Sequence, residues 1–296
     1  AGKHVYCEKP LAMRIEDART VVELAKAKGL TLATAPANGL SDAHRLVQSL
    51  LEAGRVGTVR LVYAEMEDGP VFREKWANWR SHSGASWPGL HEFKIGCTLE
   101  HAGYALSWLV SLFGAAESLT AFSALTFPNK GPDTEGIAMA PDFSVGCMRF
   151  KSGVVARLTS GLAAPKDRSL TILGDKGSIT VADLWDNRSA VYLEEAGKPR
   201  RLAARIGNRL EARLKAFLPW KPGPGRRVPY PAAAKVALPG FPSQIDFCRG
   251  IADQAAAIEK GEAPFFSGER ALHITELALA LNNAGNQPNC TLQSGF

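Results

Sequence analysis

The sequence predicts a short parallel α/β unit followed by an α+β domain with a mostly antiparallel open sheet and helices on one face. Three observations predict it. Residues 1–36 read as strand, amphipathic helix, buried strand, the order of a parallel α/β unit. Strand-like runs then recur at 118–126, 143–150, 154–162, 169–173, 178–182 and 190–193, many separated by Gly-bearing turns such as Lys151-Ser152-Gly153 and Asp175-Lys176-Gly177. Helical patterns over about 242–259 and 267–284 close the chain. Strands grouped together and helices grouped together describe α+β rather than alternating βα units.

Each element has a local reason. From Arg14 to Lys28, Ile15, Ala18, Val21, Val22 and Ala25 fall at helical spacing, and Gly29 stops the helix. Leu30 to Ala35 is an apolar run of strand length, ended by Pro36. Ser41 and Asp42 can cap a helix running to Ala53, with Gly54 as its stop, and Gly57 to Glu65 alternates as a strand. A further helix is predicted near 98–113.

A chain of 296 residues that is 46% hydrophobic and 22% charged can bury a sizeable core. No run approaches the roughly 18 apolar residues of a membrane span, so no transmembrane segment is predicted. Cys7, Cys97, Cys147, Cys248 and Cys290 form no CxxC pair and the histidines no HExxH cluster. The expectation is reduced thiols in a cytoplasmic protein with no metal site, although a targeting signal upstream of Ala1 stays open. The net charge of +6 is local: Lys198 to Arg227 holds ten Lys/Arg against Glu211 alone. Within it Leu202, Ile206, Leu210, Leu214 and Phe217 recur at helical spacing, which predicts a basic amphipathic helix in an insertion over about 198–238. Its apolar stripe is expected to pack on the domain or on a second subunit. Without a recognised module, no nucleic-acid partner is predicted.

Two stretches carry chemistry. Gly2-Lys3-His4-Val5-Tyr6-Cys7 is a short apolar strand delivering Glu8-Lys9-Pro10 at its carboxyl end, where open α/β sheets place their ligands. In Gly96-Cys97-Thr98-Leu99-Glu100-His101-Ala102-Gly103-Tyr104, the residues Leu99, Ala102, Leu106, Leu109, Val110 and Phe113 form an apolar helical stripe. Glu100, Tyr104, Ser107 and Ser111 recur on another face, predicting one side for the core and one for a cleft.

The first stretch resembles the GKHVxxEKPxA motif of the Gfo/Idh/MocA oxidoreductases, and the second resembles that family's substrate helix, commonly G-x-x-x-D-x-G-x-H. The resemblance covers nearly the whole chain except the basic insertion. It implies residues 1–37 as the end of a dinucleotide-binding Rossmann domain and 38–296 as a substrate-binding and oligomerisation domain. No G-x-G-x-x-G phosphate turn occurs in the sequence. The chain is therefore expected to be a fragment, inactive alone and loosely held over residues 1–35.

The resemblance implies an NAD- or NADP-dependent oxidoreductase of sugars, polyols or related hydroxy compounds, acting as a homo-oligomer through the sheet. Glu8, Lys9 and Pro10 would border the cofactor, with the Lys-Pro peptide cis. Lys9 and Tyr104 would move the proton and Glu100 would place the substrate. Here Glu100 stands for the family's aspartate and Tyr104 for its histidine; a second register makes His101 the aspartate equivalent and leaves Ala105 at the acid/base position. A lysine ammonium beside Tyr104 would lower its pKa toward the neutral range. Trp76, Trp79, Arg80 and Trp87 supply aromatic faces and donors suited to a sugar, and His101 and Asn38 are further cleft candidates. The alternatives are redox-neutral elimination, epimerisation or glycoside cleavage through transient nicotinamide chemistry, and a non-catalytic assembly protein.

Overall fold

The computed structural model describes residues 1–81, 83–197, 225–231, 238, 245–285, 290–291 and 293–295. The predicted basic helix and the start of the predicted helix at 242 lie outside the described residues. In the first unit, β1 (Val5–Cys7) and β2 (Leu32–Thr34) pair in parallel, Val5 opposite Leu32, joined by α1 (Ile15–Ala27). The helix buries Ala18 and Val22, while Val21, expected in the same stripe, is exposed with Leu24.

The second unit runs α2 (Asp42–Glu52), β3 (Val59–Glu67), α3 (Gly89–Ile95), α4 (Cys97–Phe113), β4 (Ala116–Ala124), β5 (Phe143–Phe150), β6 (Val155–Gly161), β7 (Leu170–Gly174), β8 (Gly177–Val181), β9 (Val191–Glu195), β10 (Arg226–Arg227), α5 (Cys248–Lys260), α6 (Gly268–Asn282) and β11 (Cys290–Thr291). Its sheet has the order β10-β9-β8-β7-β3-β6-β5-β4-β11, antiparallel throughout except for the β3–β6 pair. Both strands finish at the same end of the sheet, so Asp68, directly after β3, donates its N–H to the Gly161 carbonyl beside the end of β6.

Alternation assigns the faces. Val62, Ala64 and Met66 of β3, Ala156 and Leu158 of β6, and Met148 and Phe150 of β5 point inward, against Leu106, Trp108 and Leu109 of α4 and Leu277 and Leu281 of α6. Each buried Val, Leu, Met or Phe among them contributes about 1.5–3 kcal/mol. The helix α4 is enclosed on nearly every side, so Ser107 is buried and Ser111 partly so, contrary to the expectation of a polar cleft face. Ser107 donates to Asn38 Oδ1 and Ser111 pairs with the buried His44. The abrupt α3–α4 junction requires Gly96: its φ is 99°, and a Cβ there would lie 2.3 Å from Asn282 Oδ1.

Residues 1–35, expected to be loose, are tied to the closing helices. The Gln254 amide on α5 donates to the Val5 and Thr31 carbonyls, and the Thr34 N–H donates to the Phe266 carbonyl. Gly250 lets α5 approach β1 so closely that a Cβ would sit 2.1 Å from the Tyr6 hydroxyl. Among the described residues no helix is long and apolar enough to cross a membrane.

Candidate active site

The carboxyl end of β1 delivers Lys9 against the first turn of α4. Its ammonium donates to Glu100 Oε1 at 2.7 Å and to the Glu100 carbonyl, and it lies 5.3 Å from the centre of the Tyr104 ring. The Lys9-Pro10 peptide is cis, as is Ala35-Pro36. Lys9 is mostly covered, with 12% of its side chain exposed, while Glu100 keeps 35%. The three residues assigned to catalysis thus meet, although Lys9 and Glu100 are 91 positions apart.

Tyr104 differs from expectation in its electrostatics. Its ring packs against Trp185, centroids 4.7 Å apart and planes tilted by 46°. Burial, followed by the charges of Glu100, Glu8 and Asp68, pushes its pKa well above the ordinary phenol value. The expected lowering by Lys9 does not occur. A buried phenolate loses its hydration and faces three carboxylates, so the neutral, donating phenol wins.

His101, one residue after Glu100, is drawn into a charged group that the sequence did not announce. Its Nδ1 lies 2.6 Å from Asp68 Oδ2 and 3.6 Å from Glu92 Oε1. The other Asp68 oxygen is held by Arg168 Nε at 2.7 Å, and the Arg168 guanidinium lies 3.4 Å from the Trp185 ring centre. Burial works against ionisation of Asp68, but the paired His101 and Arg168 hold its pKa at about 2. The same partnership, with Glu92, raises the His101 pKa despite desolvation. Glu92 itself is pushed up to about 7, chiefly by burial.

The remaining sequence candidates fall elsewhere. Asn38 is buried and its amide is committed: it donates to the carbonyls of Tyr104 and Leu184 and accepts from Ser107. It braces α4 rather than lining a cleft. Trp76, Trp79 and Trp87 pack on one another and on Phe93 and Leu162, with Trp76 buried between Trp87 and Phe93. Their faces are used in a small second core under α3, because ring against ring removes more apolar surface from water than an open loop would. Arg80 is exposed and donates to the Ala77 and Trp79 carbonyls of its own loop. Glu8 is exposed, its carboxylate accepting from the Lys9 N–H.

Asp68, Glu92, Arg168 and Trp185 were missed from sequence. Asp68 left one trace, a second acid directly after the strand ending at Glu67. Arg168 and Trp185 left none, since they sit in turns flanking β7 and β8 and meet α4 only through the folded sheet.

With this geometry in hand, the comparisons define first a class, that of oxidoreductases pairing a nicotinamide-binding unit with an open-sheet domain. Residues 1–35 match the oxidoreductase family model of the NAD-binding Rossmann fold, and residues 44–180 match the GFO/IDH/MocA C-terminal domain, together more than half of the chain. The chain belongs to the Gfo/Idh/MocA family.

Among its relatives, 1,5-anhydro-D-fructose reductase of Ensifer adhaerens is 28% identical over 220 residues, 73% of this chain and 62% of the reductase. Trans-1,2-dihydrobenzene-1,2-diol dehydrogenase of Bos taurus is 24% identical over 62% of this chain and 49% of the dehydrogenase. The chain thus spans between half and about three-fifths of the length of these curated relatives. The WlbA dehydrogenase of Bordetella pertussis, solved with NADH and UDP-GlcNAcA, superposes with a TM-score of 0.60 at 19% identity, covering 99% of this chain and 74% of the other. At that identity the likeness supports the fold.

Proposed function

We propose that the protein carrying this chain is an NAD(P)-dependent oxidoreductase that transfers hydride between a nicotinamide and a sugar, polyol or related hydroxy compound. The observation that carries this reading is the meeting of Lys9 with Glu100 and Tyr104, which brings the end of a parallel strand to an enclosed helix of the second unit. The donor set fits the nicotinamide end of a dinucleotide: Glu8, Lys9 and Pro10 stand at the carboxyl end of β1, where a parallel sheet receives such a ligand. The bound cofactor would supply or accept the hydride.

The chain's own residues do the rest. Lys9 places a cation beside the substrate oxygen and stabilises negative charge there as the C–O bond changes order. Glu100 fixes Lys9 and offers its free carboxylate edge to neighbouring hydroxyls. Tyr104, held neutral, donates a hydrogen bond to the same oxygen. The same reading divides the protein at about residue 37 and makes it a cytoplasmic homo-oligomer through the outer sheet face. There Phe122 is exposed beside Val145, Gly146 and Cys147.

The test is nicotinamide absorbance in the intact protein against a panel of sugars, polyols and their keto forms. Turnover of at least one pair is expected, with kcat/KM reduced about 100-fold or more in Lys9→Ala. No nucleotide-dependent turnover, or an active enzyme indifferent to Lys9→Ala, would overturn the assignment.

A further inference from the structure

We propose that Trp185, clamped by Arg168, is a positioning residue for the reaction: it selects the orientation in which the Tyr104 ring presents its hydroxyl to the substrate oxygen. This rests on the oxidoreductase reading above and adds the residues that aim its hydrogen-bond donor.

A helix alone does not fix that donor. On α4 a tyrosine side chain has two favoured χ1 rotamers, which send the ring in different directions. A phenol oxygen lies on the ring axis, so whatever fixes the ring fixes the oxygen. The Trp185 ring lies against the Tyr104 ring, centroids 4.7 Å apart, and the Lys9 ammonium stands 5.3 Å from the centre of the same Tyr104 ring. The buried Asn38 amide donates to the Tyr104 carbonyl at 2.9 Å and to the Leu184 carbonyl at 3.2 Å. One side chain therefore ties the helix at Tyr104 to the turn that carries Trp185.

Trp185 is itself held. Arg168 Nε and Nη2 both reach Asp68 Oδ1, at 2.7 and 2.5 Å, and the guanidinium carbon lies 3.4 Å from the indole ring centre. The next shortest cation–ring distances among the described residues are 5.0 Å, so this guanidinium sits directly on the ring face. Only 10% of the Arg168 side chain and 6% of Asp68 are exposed, which leaves water little chance to compete for the cation. The turn is fixed as well. The Leu184 N–H donates to the Arg168 carbonyl, the Trp185 N–H to Asp183 Oδ1 and the Asp183 N–H to Ser189 Oγ, each at 2.8 Å. The indole N–H, by contrast, is buried with no partner among the described residues, so ring contacts rather than a hydrogen bond of the indole set the place of Trp185.

Two measurements on the intact protein test this. In kinetics, Trp185→Leu should lower kcat about 10- to 100-fold with KM within about threefold, because substrate binds but its donor is misplaced. Trp185→Phe, which keeps an aromatic face for both neighbours, should restore most of the loss. In a Tyr104→Phe background, Trp185→Leu should cost less than about twofold more, because no hydroxyl is left to aim. An equal loss in both backgrounds, a change confined to KM, or no recovery with phenylalanine overturns the proposal, as does full activity in Tyr104→Phe alone. NMR needs no substrate. With tyrosine rings isotopically labelled and Tyr104 assigned from the Tyr104→Phe difference spectrum, Arg168→Lys should shift and broaden the Tyr104 signals, because an ammonium does not stack on an indole as a planar guanidinium does. Unmoved signals overturn the clamp whether or not the variant turns over. Absence of nucleotide-dependent turnover in the unaltered protein overturns the oxidoreductase reading, and the role of Trp185 with it, whatever the spectra show.

Discussion

Lys9 and Glu100 form an ion pair of 2.7 Å that also engages the Glu100 carbonyl, so a loop of the first unit is fastened to the opening turn of α4. With Glu100 part-exposed, solvent screens the pair, and its contribution to stability is about 1 kcal/mol or less. Its value is positional. A double-mutant cycle with Lys9→Met and Glu100→Gln is therefore expected to show small coupling in denaturant unfolding. The two changes should be strongly non-additive in kcat/KM, because either one releases the same ammonium. Additive kinetic effects would show that the two side chains act separately.

Burial keeps Tyr104 protonated far into the alkaline range. Spectrophotometric titration of Tyr104→Phe should match the unaltered protein up to about pH 11, with one phenolate lost only above that range. Loss of ionisation signal near pH 8–9 would mean that Lys9 does generate a phenolate there.

Glu92 and Glu67 are both pushed up to about 7, mainly by burial. An acid whose folded pKa exceeds its unfolded value holds its proton longer in the folded state, so stability falls as pH rises from about 4.5 to about 7 and then levels. Glu92→Gln, neutral throughout, should shallow that decline by on the order of 3 kcal/mol. Urea unfolding at several pH values measures it, and an unchanged slope would place the Glu92 pKa near its ordinary value.

Gly250→Ala places a methyl group where the Tyr6 hydroxyl stands. Pushing α5 off β1 also strains the Gln254 bonds to Val5 and Thr31. Destabilisation of about 1–3 kcal/mol is expected by thermal unfolding. Adding Tyr6→Phe, which removes the hydroxyl that already lacks a partner, should recover part of the loss.

The sequence by itself determined the elements and the place of Lys9 at the end of β1. Period-2 runs gave β4 to β9 within about two residues, and α4 was legible from Leu99, Ala102, Leu106 and Leu109, because both signals arise from neighbours along one strand or one helix turn. The register pairing Glu100 and Tyr104 with Lys9 was legible from local motifs. Only the tertiary structure decided what those residues feel. Whether Asn38 and Ser107 face water or each other, and whether the tryptophans serve a cleft or a core, depends on what the sheet brings opposite them. The charge on His101 depends on Asp68, Glu92 and Arg168, which arrive from separate elements of the second unit. Desolvation and ion pairing are set by such distant neighbours. No spacing along the chain records them.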